Sequence, residues 1–453
     1  MNRSFLWLTI FLCSLLSISI SERILVLPVR LSISLVSFGL MMLRALLGLF
    51  RNRRWCDDPS ACNDLPEEVL VEIFSWLPAD SLIQFKCVSK SWYALIDFLI
   101  KNPEFVSKHL RNIDNKISTS TCLVFTIPRS SYWGEPDWKS KRRGLLKSVT
   151  ILHDYNKTNR RRKYVCEDFR LPTLPSALDL DYAYKSHCNG IICLASRETV
   201  ILCNPAINEW RTLPKPCLIT DGDFVLRRVL LGWDSRANDY KVAMFGHYRV
   251  LHGQIEYFII RAEVYRLRSD SWNETGFQLA LRGYPNGESN IFCKGVFYWF
   301  VRTHNVIVSL NTFDEVFYSN LLPIDLAASE KVFVRLAVWN ETIASFVFWR
   351  EEGVTESIEV LAPGDSYDGV SGIPRSWIKI LTINPQTRIA FPLAFLKNDE
   401  VLMKTKGGRF VLYNLHKQTR SELTSLAVDL WPTWGFLYVK SLLSVQAGNQ
   451  SRS

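Results

Sequence analysis

Apolar and polar positions alternate in two rhythms along the chain. From Leu65 to Trp92, "LPEEVLVEIFSWLPADSLIQFKCVSKSW", the spacing is helical. Asn63 or Asp64 caps a first helix, Pro66 stands near its first position, and Glu67 and Glu68 put carboxylates at its positive end. Val69, Leu70, Ile73, Phe74 and Leu77 make its apolar stripe, and Pro78 stops it. Asp80 caps a second short helix with Leu82, Ile83 and Phe85; Trp92, Leu95, Ile96 and Leu99 predict a third. Three short helices in about fifty residues enclose little core. Leu65, Pro66, Ile73 and Pro78 exceed what such a bundle readily hides, which predicts a face that docks a partner.

Past residue 120 the rhythm shortens. "CLVFTI", "GIICLA", "YKVAMF", "GVFYWFV", "SFVFW" and "VLMKT" are apolar runs broken by Gly, Asn, Asp and Pro, as in a β sandwich, barrel or propeller. One pattern recurs: "CNPAINEW" (Cys203–Trp210), "YRLRSDSW" (Tyr265–Trp272), "LNTFDEVF" (Leu310–Phe317) and "YNLHKQTR" (Tyr413–Arg420). Each predicts a strand, a polar turn and a second strand, with room for a further unit around "ESIEVLAPG". Periods of roughly 40–50 residues suit propeller blades of four strands. A single blade cannot bury both of its faces, but a closed ring of blades can.

"DLPEEVLVEIFSWLPADSLIQFKCVSKSWYALI" (Asp64–Ile96), followed by "FVSKHL" (Phe105–Leu110), resembles an F-box in the order and spacing of many positions. The resemblance implies docking on a Skp-type adaptor, and through it on a cullin scaffold, in an SCF-type ubiquitin ligase. The matching positions are Leu65, Pro66, Val69, Leu70, Ile73, Leu77, Pro78 and Leu82. Leu65, Pro66 and Pro78 are read as docking residues, and Phe85, Val88 and Trp92 as bundle interior. "SHCNGIICL", "NPAINEWRTLP", "LGWDSRANDYKV", "GVFYWF" and "LAFLKNDEVLM" resemble the F-box-associated, kelch-like domain of plant F-box proteins, with a narrower likeness to S-locus F-box proteins. The expected architecture is mainly β with a small N-terminal α module: a three-helix F-box, then a kelch-like propeller of about six blades. The expected segments are a leader at 1–55, the F-box at 60–110, a basic connector and first strands over 111–163, the β domain at 120–440 and a polar tail at 441–453.

Charge narrows the partners. The net charge is +10, but residues 164–453 carry thirty basic and thirty acidic side chains. The excess sits in "KSKRRGLLK" and "KTNRRRK", read as exposed loops, and the large domain lacks the basic groove with interleaved aromatics that nucleic acid requires. The S-locus chemistry favours an acidic recognition surface, which this neutral domain does not match. Eleven scattered Cys without a CxxC pair suit neither zinc nor a secreted disulfide scaffold, and predict reduced, mostly buried thiols in cytosol or nucleus. The leader holds two apolar runs, Phe5–Ile20 after Arg3 and Ile24–Phe50, the second interrupted by Pro28, Arg30 and Arg44. It reads either as a membrane anchor with "RNRR" holding the rest on the cytosolic side, or as a wrongly assigned start preceding Met41 or Met42. The seven His form no HExxH, "KTKGGRF" reads as a hairpin turn, and no acid/base pair stands out. The expectation is a non-catalytic receptor of a protein target, without cofactor or metal.

Overall fold

A computed structural model describes residues 67–116, 120–127, 145–152, 164–169, 184–220, 222–276, 279–282, 289–322, 331–352, 354–364, 376–384, 388–396, 399–407, 409–422 and 435–446. The leader, Leu65 and Pro66 lie outside these residues, as does most of both basic runs. No helix among the described residues is long and apolar enough to cross a membrane.

The chain divides into two compact units. The first contains helices α1 (Glu67–Ser75), α2 (Ala79–Phe85), α3 (Lys90–Lys101) and α4 (Pro103–Lys116). Local chemistry sets their starts. The Ser89 hydroxyl accepts the Trp92 amide at 3.1 Å and caps α3. Asn102 Oδ1 accepts the amides of Glu104 and Phe105 at 2.8 and 3.3 Å, with Pro103 at the position where a missing N–H costs nothing. The core is Ile73, Phe74, Leu77, Leu82, Ile96, Leu99, Phe105 and Val106, all buried. Lys440–Leu443 also belong to this unit, and Lys440 Nζ donates to Asp80 Oδ2 at 2.7 Å.

The second unit is a succession of antiparallel sheets. Tyr184–Cys188, Ile191–Ala195, Val200–Asn204 and Glu209–Thr212 pair in chain order, as do the four strands from Asn290 to Leu321. Between them, Val225–Asp234, Asp239–His252, Ile255–Arg266 and Ser271–Glu274 form a sheet to which Leu279–Arg282 adds. An eight-stranded sheet follows; its two four-stranded halves meet through one bridge, Thr355 to Ile389. The remaining sheet joins Ser120–Ile127, Leu145–Leu152 and Tyr164–Phe169 to the chain's last strand, Gly435–Tyr438. The described strands thus make six groups, five of four strands and one of five, the first sheet completed by Gly435–Tyr438, which is the connectivity of a closed propeller.

Each recurring motif is the hairpin that the pattern predicts. Val200–Asn204 turns into Glu209–Thr212, Ile255–Arg266 into Ser271–Glu274, Val306–Asn311 into Phe317–Leu321, and Phe410–Asn414 into Thr419–Glu422. The leading Asn has a specific task. Asn204, Asn311 and Asn414 accept backbone amides of Ala206, Phe313 and Lys417 at 3.0, 2.9 and 2.8 Å. The residue closing the turn takes the left-handed region: Asn208, Asp270, Glu315 and Gln418 have φ of 55°, 52°, 59° and 51°. The unit expected around "ESIEVLAPG" is Val354–Pro363 paired with Trp377–Ile383.

Cores form between neighbouring sheets. In Val296–Val301, Phe297, Trp299 and Val301 pack with Leu230, Phe245 and Val264 of the preceding sheet, while Val296, Tyr298 and Phe300 pack with Val334, Leu336 and Val347 of the following one. That is why this strand is apolar at every position, as expected for a sheet covered on both faces. One boundary needs correction. The expected polar tail from 441 contains Leu442 and Val445 at 1% and 0% exposure, and Glu209 Oε2 accepts the Ser444 hydroxyl at 2.6 Å. Two apolar side chains and a carboxylate fix this segment to the fold.

Candidate functional site

Placement divides the eight candidate docking residues. Ile73, Leu77 and Leu82 are 2%, 1% and 0% exposed, closed into the helical unit. Val69 and Leu70 are half-buried and Pro78 is exposed. Leu65 and Pro66 lie outside the described residues. The expectation that Ile73 overfills the bundle is therefore corrected: Ile73 is closed into a unit of four helices, and α4, absent from the three-helix reading, bonds to the C-terminal part of α1 and the turn after it. His109 Nε2 meets the Leu77 carbonyl at 2.8 Å, Asn112 Nδ2 donates to the Ser75 carbonyl and hydroxyl at 3.2 and 2.9 Å, and Lys108 pairs with Glu72.

The residues assigned to the interior also divide. Trp92 is half-buried and packs edge-on against Phe74 and Phe85, with centroids 5.1 and 5.7 Å apart. Val88 is not interior; it stands 58% exposed in the turn before Ser89. Tyr93 and Phe98 on α3 are 54% and 64% exposed, and both were missed. The signal was present, since they fall off the stripe made by Trp92, Leu95, Ile96 and Leu99 and yet are aromatic. Polar groups fix the frame around them: Asp97 accepts from Lys86 and Lys101 at 2.9 and 2.7 Å, and these hydrogen bonds hold its carboxyl below the usual range. Lys86 also sits 5.4 Å from the Tyr93 ring centre.

The β domain presents little that could do covalent chemistry. Burial pushes the thiols of Cys188 and Cys203 up to about 12 and that of Cys293 to about 11, so they stay protonated. Burial holds His247 down to about 4, helped by the nearby Arg227. His247 is 2% exposed, and His252 is exposed together with the three residues before it at the end of the same strand. "KTKGGRF" is the predicted hairpin turn, with the Thr405 amide bonded to the Arg409 carbonyl at 2.8 Å. Among the described residues no cluster of three His, Cys, Asp or Glu could hold a metal.

Residues 62–103 match the F-box domain, and residues 149–445 match the F-box associated beta propeller domain. The chain belongs to the F-box associated beta propeller family. Its relatives agree in kind. An F-box/kelch-repeat protein of Arabidopsis thaliana is 22% identical over 337 residues, 71% of each chain. A second from the same plant is 22% identical over 420 residues, covering 85% of this chain and 97% of that one. A third is 28% identical over 243 residues, 52% of this chain and 58% of that protein.

Proposed function

We propose that this chain is the target-binding subunit of an SCF-type ubiquitin ligase. The helical unit docks on a Skp-type adaptor and thereby on a cullin scaffold, and the β domain binds a protein target. The observation that carries the reading is the apolar surface left on an F-box unit whose core is already closed: Pro78, Val88, Tyr93 and Phe98, with Val69 and Leu70 half-buried. Ile73, Leu77 and Leu82 then serve docking by holding α1 and α2 in place. The chain itself performs no chemical step in this role. It raises the effective concentration of a target lysine near a ubiquitin-conjugating enzyme.

The test is co-purification of the full chain with a Skp-type adaptor, beside thermal melts. Replacing Leu65 and Pro66 together by Ala removes two apolar side chains just before α1 in the sequence. Truncated interface anchors cost at least about 2 kcal/mol each at hot spots, so binding should weaken about a hundredfold or more while the melt stays put. Undiminished binding by that double variant rejects the docking face. Failure of the unaltered chain to bind any such adaptor rejects the ligase role.

A further inference from the structure

One hairpin departs from the regularity of the β domain. Asp239–His252 and Ile255–Arg266 pair along their whole length, from His252 opposite Ile255 to Lys241 opposite Arg266. The neighbouring strand pairs with the first of these only as far as Val225 opposite His247. The hairpin therefore runs on beyond its sheet. Its tip carries Val250, Leu251 and Ile255 at 39%, 65% and 43% exposure. Its two edges are treated differently. Leu279–Arg282 adds to one, with Leu281 opposite Phe258 and Arg282 opposite Tyr257. Among the described residues, no strand pairs with Arg249–His252 on the other.

Exposed edges are usually blunted by proline, lysine or a bulge. Arg249–Val250–Leu251–His252 has no proline, lysine or register shift. Its one strong charge, Arg249, is tied sideways to Glu256 yet remains 65% exposed. We infer that this edge is a strand-addition site for an extended peptide segment of a target protein, an inference that rests on the target-binding role proposed above. The covered edge shows the kind of occupant the hairpin takes: a short antiparallel strand of this chain's own, with apolar Leu279 and Leu281. At the open edge, main-chain hydrogen bonds supply affinity and alternate side chains supply selection. Val250 and Leu251 lie on opposite faces, and Arg249 shares a face with Leu251. The fitting segment thus has two adjacent apolar residues and a carboxylate next to them, placed to face Arg249.

The experiment uses the full chain and a short fluorescent peptide of alternating Thr and Val that contains one Val-Val-Glu step. A control peptide carries Pro in place of the second Val. Fluorescence polarisation should show binding to the first peptide, at least about tenfold weaker for the control. In this two-residue hairpin Val250 exchanges its main-chain bonds with Tyr257, so the amides of Arg249 and Leu251 face the open edge. A Leu251→Pro variant with an unchanged melt should lose binding by a similar factor, and Leu251→Val, which keeps the edge amide, should retain it. Amide exchange at 249–252 should slow when the first peptide is bound. Equal binding by Leu251→Pro, or protection only elsewhere, overturns the inference. So does a dimer of the unaltered chain that Leu251→Pro abolishes, because the edge then serves a second copy. Adaptor co-purification, run alongside, separates the two proposals: lost adaptor binding with intact peptide binding rejects the ligase role and leaves this edge standing.

Discussion

Lys241 is 4% exposed, and such a burial is tolerable only because every charge around it is answered. Its ammonium lies 2.9 Å from Asp234 Oδ2 and 3.0 Å from Glu315 Oε1, and it also donates to the Thr312 carbonyl. Glu315 in turn takes Arg266 through both oxygens, at 3.0 and 2.6 Å. Asp234 accepts the amides of Arg236 and Ala237 at 3.0 Å each, so one carboxylate closes a turn and holds a buried cation. Burial alone would raise the Asp234 carboxyl; these hydrogen bonds and the Lys241 charge outweigh it and leave it below the ordinary value. A depressed carboxyl contributes stability that is present above its unfolded value, near pH 4, and is lost as pH falls through its folded value. Lys241→Ala leaves Asp234 buried without its cation and should cost about 3–5 kcal/mol. In a thermal melt series the variant should also lose less stability on the acid side, because without Lys241 the folded Asp234 protonates closer to its unfolded value. An acid limb that coincides with that of the unaltered chain would show that Asp234 is held by the turn amides alone.

Among the elements, α4 changes most between sequence and structure. Its stretch "PEFVSKHLRNIDNK" has few strong apolar residues, and beside Phe105 and Val106 it buries a histidine, His109, at 0% exposure. Hydrophobic periodicity gives little weight to such a residue, which is why α1 looks overfilled in the sequence and Ile73 reads as surplus. The hydrogen bond from the ring meets the Leu77 carbonyl in the turn that follows α1, beside a side chain that is itself 1% exposed. His109→Ala should lower the stability of the helical unit by about 2–3 kcal/mol through the cavity and the lost bond. Amide exchange reads this directly: α1 and α4 should exchange faster, with the β strands unchanged. Equal protection in α1 would mean that α4 does not hold it. The β hairpins, by contrast, were legible almost to the residue. The six-residue offset from Asn204 to Trp210 and from Asn311 to Phe317 spans a turn that one side-chain amide closes locally, so it needs no tertiary information. The run-on of the long hairpin was not legible, since "RVLHGQIEY" mixes apolar and polar residues in no clean alternation. Tyr93 and Phe98 were hidden for a related reason: a stripe argument looks for what is buried and passes over what is left outside.

At the scale of the β domain, closure decides whether the separate sheets become one fold. Ser120–Ile127 pairs with Leu145–Leu152 on one side and with Gly435–Tyr438 on the other, Cys122 opposite Tyr438 and Leu123 opposite Leu437. The last strand thus completes the first sheet, and Val124 and Tyr438 within this pairing are 0% and 3% exposed. Inter-sheet cores join the sheets from Val225 to Asn414 to one another, and at the seam the Tyr438 hydroxyl donates to Asn204 of the next sheet, so an opening there should weaken the sheet beside it as well. Successive strand residues point their amides to opposite edges, so replacing Phe436 and Leu437 together by Pro removes a ladder donor whichever of the two faces Ser120–Ile127. Proline in the interior of a regular element costs about 3 kcal/mol or more, a large fraction of the whole stability of a domain. The uncovered strand is apolar and β-branched, the composition that pairs edge to edge between molecules. The double variant should therefore melt early and elute from gel filtration as expanded or associated species by light scattering. A compact monomer with an unshifted melt would place the closure of the domain elsewhere, in the inter-sheet cores rather than in the last strand.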